Sequence, residues 1–323
     1  MRSKRKLRPV LDGDFWMVGD NPDLGPLQGN TDPARGPVQE CVDHHVFQSP
    51  DGAWHLWGCV RHTAVGRVLY HWEAASVTDQ HWRQTGEVIR VDRGAGECLN
   101  GVPEEVIQSP FIARKGRTYY MFYGGSAAGT DEAGSAVPPG DPRMAGQICM
   151  MTSRDGRTWT CHHNGLGRSR VFIGPSASRD PCVLKVGRRW HLYYAGFHGE
   201  GCDRAAFFAR TSGDQLRWSD WRVVHEDLSF GAQRWDTECP HVVHRGGDFY
   251  LFRTVEYASA NTHVFRSEDP LDFGVGDARD KYVGPIAVAA PEVIVAPDGQ
   301  EYITSNHDLT GGTRICHLTW VEE

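Results

Sequence analysis

Residues 180–196 read DPCVLKVGRRWHLYYAG, and this stretch decides the fold. An apolar strand (CVLKV) meets a glycine-bearing turn (KVGRR) and returns as a strand of aromatic and aliphatic residues (WHLYYAG). That is a β-hairpin: Gly supplies the backbone freedom of a tight turn, and aromatic residues fit a pleated, half-buried surface. The arrangement recurs along the chain. Turn signals SPDGA, ARKGR, HRGGD and APDGQ precede the runs WHLWG, YYMFYGG, FYLFRT and EYITSN. Aligned on Asp43, Ser109, Asp180, Glu238 and Ala290, the segments place Trp57, Tyr123, Tyr194 and Phe252 fourteen positions after the first four anchors.

A second motif follows each of the first four hairpins. Ser76 and Trp82, Ser153 and Trp159, Ser212 and Trp218, and Ser267 and Phe273 share one six-residue spacing, with Asp79, Asp155, Asp214 and Asp269 between them. The clearest copy, TSRDGRTW (152–159), reads as a strand end, an Asp-Gly turn and an aromatic that packs back under the sheet. Four strands per unit, repeated every ~50–70 residues, predict an all-β fold, a single-domain five-bladed β-propeller. A sandwich does not require two motifs to recur in step. Helix-period stretches with capping signals are nearly absent, which argues against an α/β barrel. The reading assigns residues 41–323 to the propeller and 1–40 to an N-terminal segment available to supply a strand that closes the last blade. One low-complexity insertion, residues 126–143 (SAAGTDEAGSAVPPGDPR), interrupts the second blade and reads as a surface loop.

Composition narrows the function. A formal net charge of −7 argues against nucleic acid or an anionic membrane as partner. The basic start MRSKRK is not followed by an apolar run of signal-peptide type, and no apolar run is long enough to span a membrane. The 9 cysteines lack CxxC spacing, which predicts free thiols and a cytoplasmic location.

In a propeller the first strand of each blade lines the central channel. Asp43 (in VDHHVF), Asp180 (in SRDPCV) and Glu238 (in DTECPH) therefore converge on one pocket. Three acids brought together repel one another, and such a cluster calls for a cation or a catalytic task. Glycosidic cleavage needs one protonated carboxyl for the leaving oxygen and one carboxylate on the opposite face. Glu238, beside Cys239 and Pro240 and close to Trp235, has the drier setting and is assigned as general acid. Asp43, next to His44 and His45, is the nucleophile or general base. Asp180, adjacent to Arg179, is expected to stay ionised and stabilise an oxocarbenium-like transition state.

At these residues the chain resembles the five-bladed glycosidases of families 32, 68, 43 and 62. RDP at 179–181 and EC at 238–239 match inner motifs of family 32, the fructofuranosidases. ECPHVVHRGGDFYLF (238–252) is similar to the general-acid strand of family 43, whose members act on arabinofuranosides and xylosides. The resemblance implies the same three roles for Asp43, Asp180 and Glu238. It implies a minimal single-propeller hydrolase of a small glycoside of furanoside type. The family 32 motif Asn-Asp-Pro-Asn-Gly is replaced here by Val42-Asp43-His44-His45, so the sugar stays open. No cofactor is required, and a structural or axial calcium near His307 is compatible with family 43.

Arg179, Ser109, His44 and His307 are candidate substrate-binding residues, and Trp235 is a candidate stacking face for a sugar ring. Trp54, Trp57 and Trp190 read as core, and Glu104 and Glu105 as rim or turn residues. Two other readings remain: a glycoside phosphorylase resembling family 130, and a non-catalytic carbohydrate-binding propeller. A sialidase is disfavoured, because TSRDGRTW lacks one residue of the Ser-x-Asp-x-Gly-x-x-Trp pattern.

Overall fold

A computed structural model describes residues 6–29, 39–99, 103–125, 146–231, 233 and 235–323. The expected loop at 126–143 lies outside the described residues. Five sheets form the five blades of a propeller. The N-terminal strand is β1 (Leu7–Asp20). Blade one comprises β2 (Glu40–Gln48), β3 (Trp54–Thr63), β4 (Gly66–Ala74) and β5 (Arg83–Ile89). Blade two comprises β6 (Ile107–Lys115), β7 (Thr118–Gly125), β8 (Gln147–Ser153), β9 (Thr160–Cys161) and β10 (Arg170–Ile173). Blade three comprises β11 (Ser176–Val186), β12 (Arg189–His198), β13 (Arg204–Ser212) and β14 (Arg222–His225). Blade four comprises β15 (Glu238–Arg245), β16 (Asp248–Glu256), β17 (Asn261–Ser267) and β18 (Tyr282–Ala287). Blade five has β19 (Val293–Val295), β20 (Glu301–Ser305) and β21 (Gly312–Glu322), and β1 pairs antiparallel with β21 as its outer strand.

The hairpins pair as the repeat predicts, with one adjustment. Cross-strand partners are His45 with Trp57, Phe111 with Phe122, Cys182 with Tyr193 and His241 with Phe252. Tyr123 and Tyr194 thus lie one residue beyond the true counterparts of Trp57. The turn in blade one is a residue longer, which shifts the fourteen-residue count.

The Ser/Asp/aromatic motif latches neighbouring blades. In blade two the Asp155 carboxylate accepts the N–H groups of Arg157 and Thr158, and Ser153 Oγ accepts that of Gly156. The turn so formed presents Gly156 O to the indole N–H of Trp57 in blade one, at 3.0 Å. Blade three repeats the contact: Tyr193 donates its hydroxyl to Pro270 O in the matching turn of blade four. Between blades two and three, Phe122, Ile148 and Phe172 share one core cluster with Leu192, Tyr194 and Phe208. Burying aromatic faces between sheets at roughly 25 cal/mol per Å² is what holds the blades together.

Gly156 has φ +80°, and a Cβ there would approach the Phe47 ring to 2.8 Å. Gly156→Ala should therefore destabilise the protein by about 2 kcal/mol, through backbone strain and a displaced blade-one aromatic. A thermal melt checks this. An unchanged midpoint would mean that the turn does not latch the blades.

Candidate active site

Each of the five blades carries one residue in the left-handed region where the chain enters the channel: Asp43 (φ 37°), Ser109 (54°), Asp180 (55°), Cys239 (53°) and Ala290 (47°). These are the equivalent points of the repeat. The fourth is Cys239, so Glu238 stands one position earlier, level with Val42, Gln108, Arg179 and Ala289. The alignment by sequence is one residue out in blade four. Proline placement marks the true register, since Pro110, Pro181, Pro240 and Pro291 each follow an anchor directly.

The slip does not turn Glu238 away from the site. Strand pairing shifts register at Val42/His44, Gln108/Phe111, Arg179/Cys182 and Glu238/His241, which makes a bulge at each of the first four anchors. A bulge breaks the alternation of faces. Two consecutive side chains can then face the channel, and in blade four Glu238 lines the larger cavity and Cys239 the narrow void.

A cavity of about 630 Å³ opens at this level, lined by Asp43, Asp180, Glu238, Arg179, Trp235 and Tyr257 among others. Behind the acids a narrow void of about 30 Å³ continues past Ser109, His44, His241 and Glu292. A more open depression of about 880 Å³ lies on blade one, around Glu73, Asp79 and His81. Its Glu73 is held by Arg157 and Arg83, and none of the three channel acids reaches it. All three acids line the channel cavity.

Ser109 joins two of the acids. Its Oγ lies 2.8 Å from Asp43 Oδ2 and 2.7 Å from Asp180 Oδ1. A hydroxyl has one proton to give, so two such contacts require a second proton on one of the carboxyls. The surroundings of Asp180 favour the proton there. Burial, then the charge of Asp43, push its pKa up to about 7, against the pull of Arg179 and the Ser109 hydrogen bond. This corrects the expectation that Asp180 stays ionised beside Arg179. The guanidinium is instead directed at Glu238, with Nη2 at 3.1 Å from Oε1, and its Nε is 3.5 Å from Asp180 Oδ2.

Glu238 is also raised above the usual carboxylate range. Burial is the main cause, and Arg179 opposes it. Arg179 is buried, stacked at 4.9 Å on the Trp235 ring and at 5.2 Å on Phe197. Trp235 itself is 54% exposed, so an aromatic face stands open to solvent at the mouth beside Glu238.

The structure brings Asp43, Asp180, Glu238, Arg179 and Trp235 into one cavity, with Ser109 bridging two of the acids from behind. His44 lines the narrow void instead. It is buried, neither ring nitrogen makes a well-formed hydrogen bond, and burial holds its pKa below the usual histidine value. His307 lines neither cavity; its Nδ1 is 2.8 Å from Ser305 Oγ and its ring meets Phe15 edge-on. Among the described residues, His307 belongs to neither of the two side-chain groups with metal-ligand spacing, Asp43/Asp180/Cys239 and His55/His71/Glu73. Glu105 pairs with Arg90 and does not line the pocket. Trp54, Trp57 and Trp190 are buried core residues. Sequence reasoning misses Cys239, Tyr257, Arg67 and Gln108. Of these only Cys239 carries a signal, the proline after it.

No protein family matches the sequence, and no curated protein matches it. Solved structures do. A thermostable family-43 glycoside hydrolase superposes with a TM-score of 0.59 at 16% identity, over 89% of this chain and 91% of that one. An α-L-arabinofuranosidase from Lactobacillus brevis gives 0.58 at 12% identity, over 87% of this chain and 91% of that one. A family 32 β-fructofuranosidase from Bombyx mori gives 0.58 at 16%, over 90% of this chain but 61% of that one. The likeness is one of fold. No helix among the described residues is long and apolar enough to cross a membrane.

The raised pKa of Asp180 has a consequence for stability. The unfolded chain releases this proton near pH 3.8 and the folded chain near 7, so the contribution is full below pH 3.8 and is lost as pH rises through 7. Asp180→Asn should therefore raise the melting temperature by several degrees at pH 8 and change it little at pH 4. Equal shifts at both values would contradict the assignment of the proton to Asp180.

Proposed function

We propose that the protein is a glycoside hydrolase that cleaves a small glycoside of furanoside type by paired-carboxylate chemistry. The observation that carries this reading is the meeting of Asp43, Asp180 and Glu238 in one cavity of about 630 Å³, a volume suited to a small ligand. Glu238 is the general acid. It stands at the mouth beside an exposed tryptophan, and its environment favours the protonated form; a bound sugar displaces water and strengthens that preference. Asp43 is the carboxylate that attacks the anomeric carbon or activates water. Asp180 is tied to Ser109 at its back and lies beside Arg179, so it stores a proton and tunes the charge facing the sugar. Arg179 orients Glu238, and Trp235 offers a stacking face. The fold shared with the arabinofuranosidase and fructofuranosidase structures supports the furanoside reading.

A second reading has one observation in its favour. Arg67 lines the cavity, and its guanidinium bonds Gln108 Oε1 with no ion pair to a carboxylate among the described residues. A cation in that state is able to hold inorganic phosphate, which a phosphorylase would use in place of water.

A panel of nitrophenyl glycosides, furanosides first and with or without phosphate, separates the two. Phosphate-independent turnover of a furanoside is the expected result. For the best substrate, Glu238→Gln should lower kcat about 10²- to 10⁴-fold. A loss of less than threefold would remove Glu238 from the mechanism.

A further inference from the structure

Tyr257 opens the turn between β16 and β17. The turn is well built: the Glu256 carboxylate accepts the N–H groups of Ala258 and Ser259, each at 2.8 Å, and Ala260 N–H donates to Tyr257 O. From blade four the phenol reaches blade one. Its oxygen lies 2.5 Å from Asp43 Oδ1 and 2.8 Å from Cys239 Sγ, and that sulfur lies 3.2 Å from the same Oδ1. The Tyr257–Asp43 separation is that of a charge-assisted hydrogen bond.

The donors on Asp43 can be counted. A carboxylate offers about four lone-pair sites, two per oxygen. Tyr257 and Cys239 occupy both sites of Oδ1, and Ser109 occupies one of Oδ2. One site on Oδ2 is left. We propose that Tyr257 is a positioning residue for the glycosidic step: with Cys239 it saturates Oδ1 of Asp43 and leaves Oδ2 as the only oxygen that faces the anomeric carbon or its water. This rests on the reading of Asp43 as nucleophile or base. Burial and the adjacent Asp43 charge keep both the phenol and the thiol protonated, so both are held as donors.

Tyr257→Phe removes the donor and keeps the ring. With the nitrophenyl glycoside that the wild type turns over best, kcat should fall about 10- to 100-fold, the loss expected for one charge-assisted bond. KM should change by less than about threefold, because no bond to the sugar is removed. Unchanged kcat, or a KM increase alone, overturns the proposal. A second readout needs no substrate. In proton NMR the Tyr257 hydroxyl should resonate downfield of the amides in the wild type, vanish in Tyr257→Phe and shift in Asp43→Asn. A resonance indifferent to Asp43→Asn overturns the proposal whatever the sugar. A panel without turnover overturns the proposed function instead.

Discussion

Each blade admits one residue of left-handed backbone where the chain enters the channel, and the site depends on that conformation. In a residue other than glycine it costs roughly 1–3 kcal/mol, and here it is adopted five times, by Asp, Ser, Asp, Cys and Ala. A regular strand would give the channel every second side chain. The bulge gives it two in succession, so that Arg179 and Asp180 from one blade meet Glu238 from the next in the large cavity, while Cys239 lines the narrow void beside it. The interleaved aromatic cores between blades supply the stability that offsets this strain.

Bringing these groups together crowds charge into a confined place. Asp43, Asp180 and Glu238 share the cavity with Arg179, and burial is the main cause that pushes both Asp180 and Glu238 upward. The protein resolves the repulsion by distributing protons. Ser109 links Asp43 to a protonated Asp180, and Arg179 is given to Glu238. Asp43 receives neutral donors from two other blades: Ser109 from the second, and Cys239 and Tyr257 from the fourth. Distinct roles for chemically similar groups thus arise from which neighbour each one meets.

Much of the fold is legible in the sequence because propeller blades repeat a local pattern. A Gly turn between apolar strands and an Asp turn before an aromatic are short-range signals, and four copies in step leave little freedom. The site is legible to the extent that it uses the same register. Asp43 and Asp180 sit on anchors, where the repeat puts them. Glu238 aligns one residue out, and only the bulge, invisible without backbone angles, returns its side chain to the pocket. The ionisation of Asp180 is not legible, because adjacency to Arg179 in sequence says nothing about where the guanidinium points. Tyr257, in the plain stretch VEYASA, meets Asp43 only through closure of the ring, a contact 214 residues apart. His44 and His307 look polar and lie near the motifs, yet the first faces the narrow void and the second packs on the N-terminal strand.

The proposed cleavage requires Asp43 and Glu238 to flank a scissile glycosidic bond. The most direct measurement is a crystal structure of Glu238→Gln with an intact glycoside that the wild type hydrolyses. The glycosidic oxygen should lie within about 2.6–3.2 Å of the substituted amide at position 238, with Asp43 Oδ2 directed at the anomeric carbon from the opposite face and Oδ1 still bonded to Tyr257. A sugar bound elsewhere on the propeller, or one whose anomeric carbon faces Arg67 with Asp43 out of reach, would contradict it.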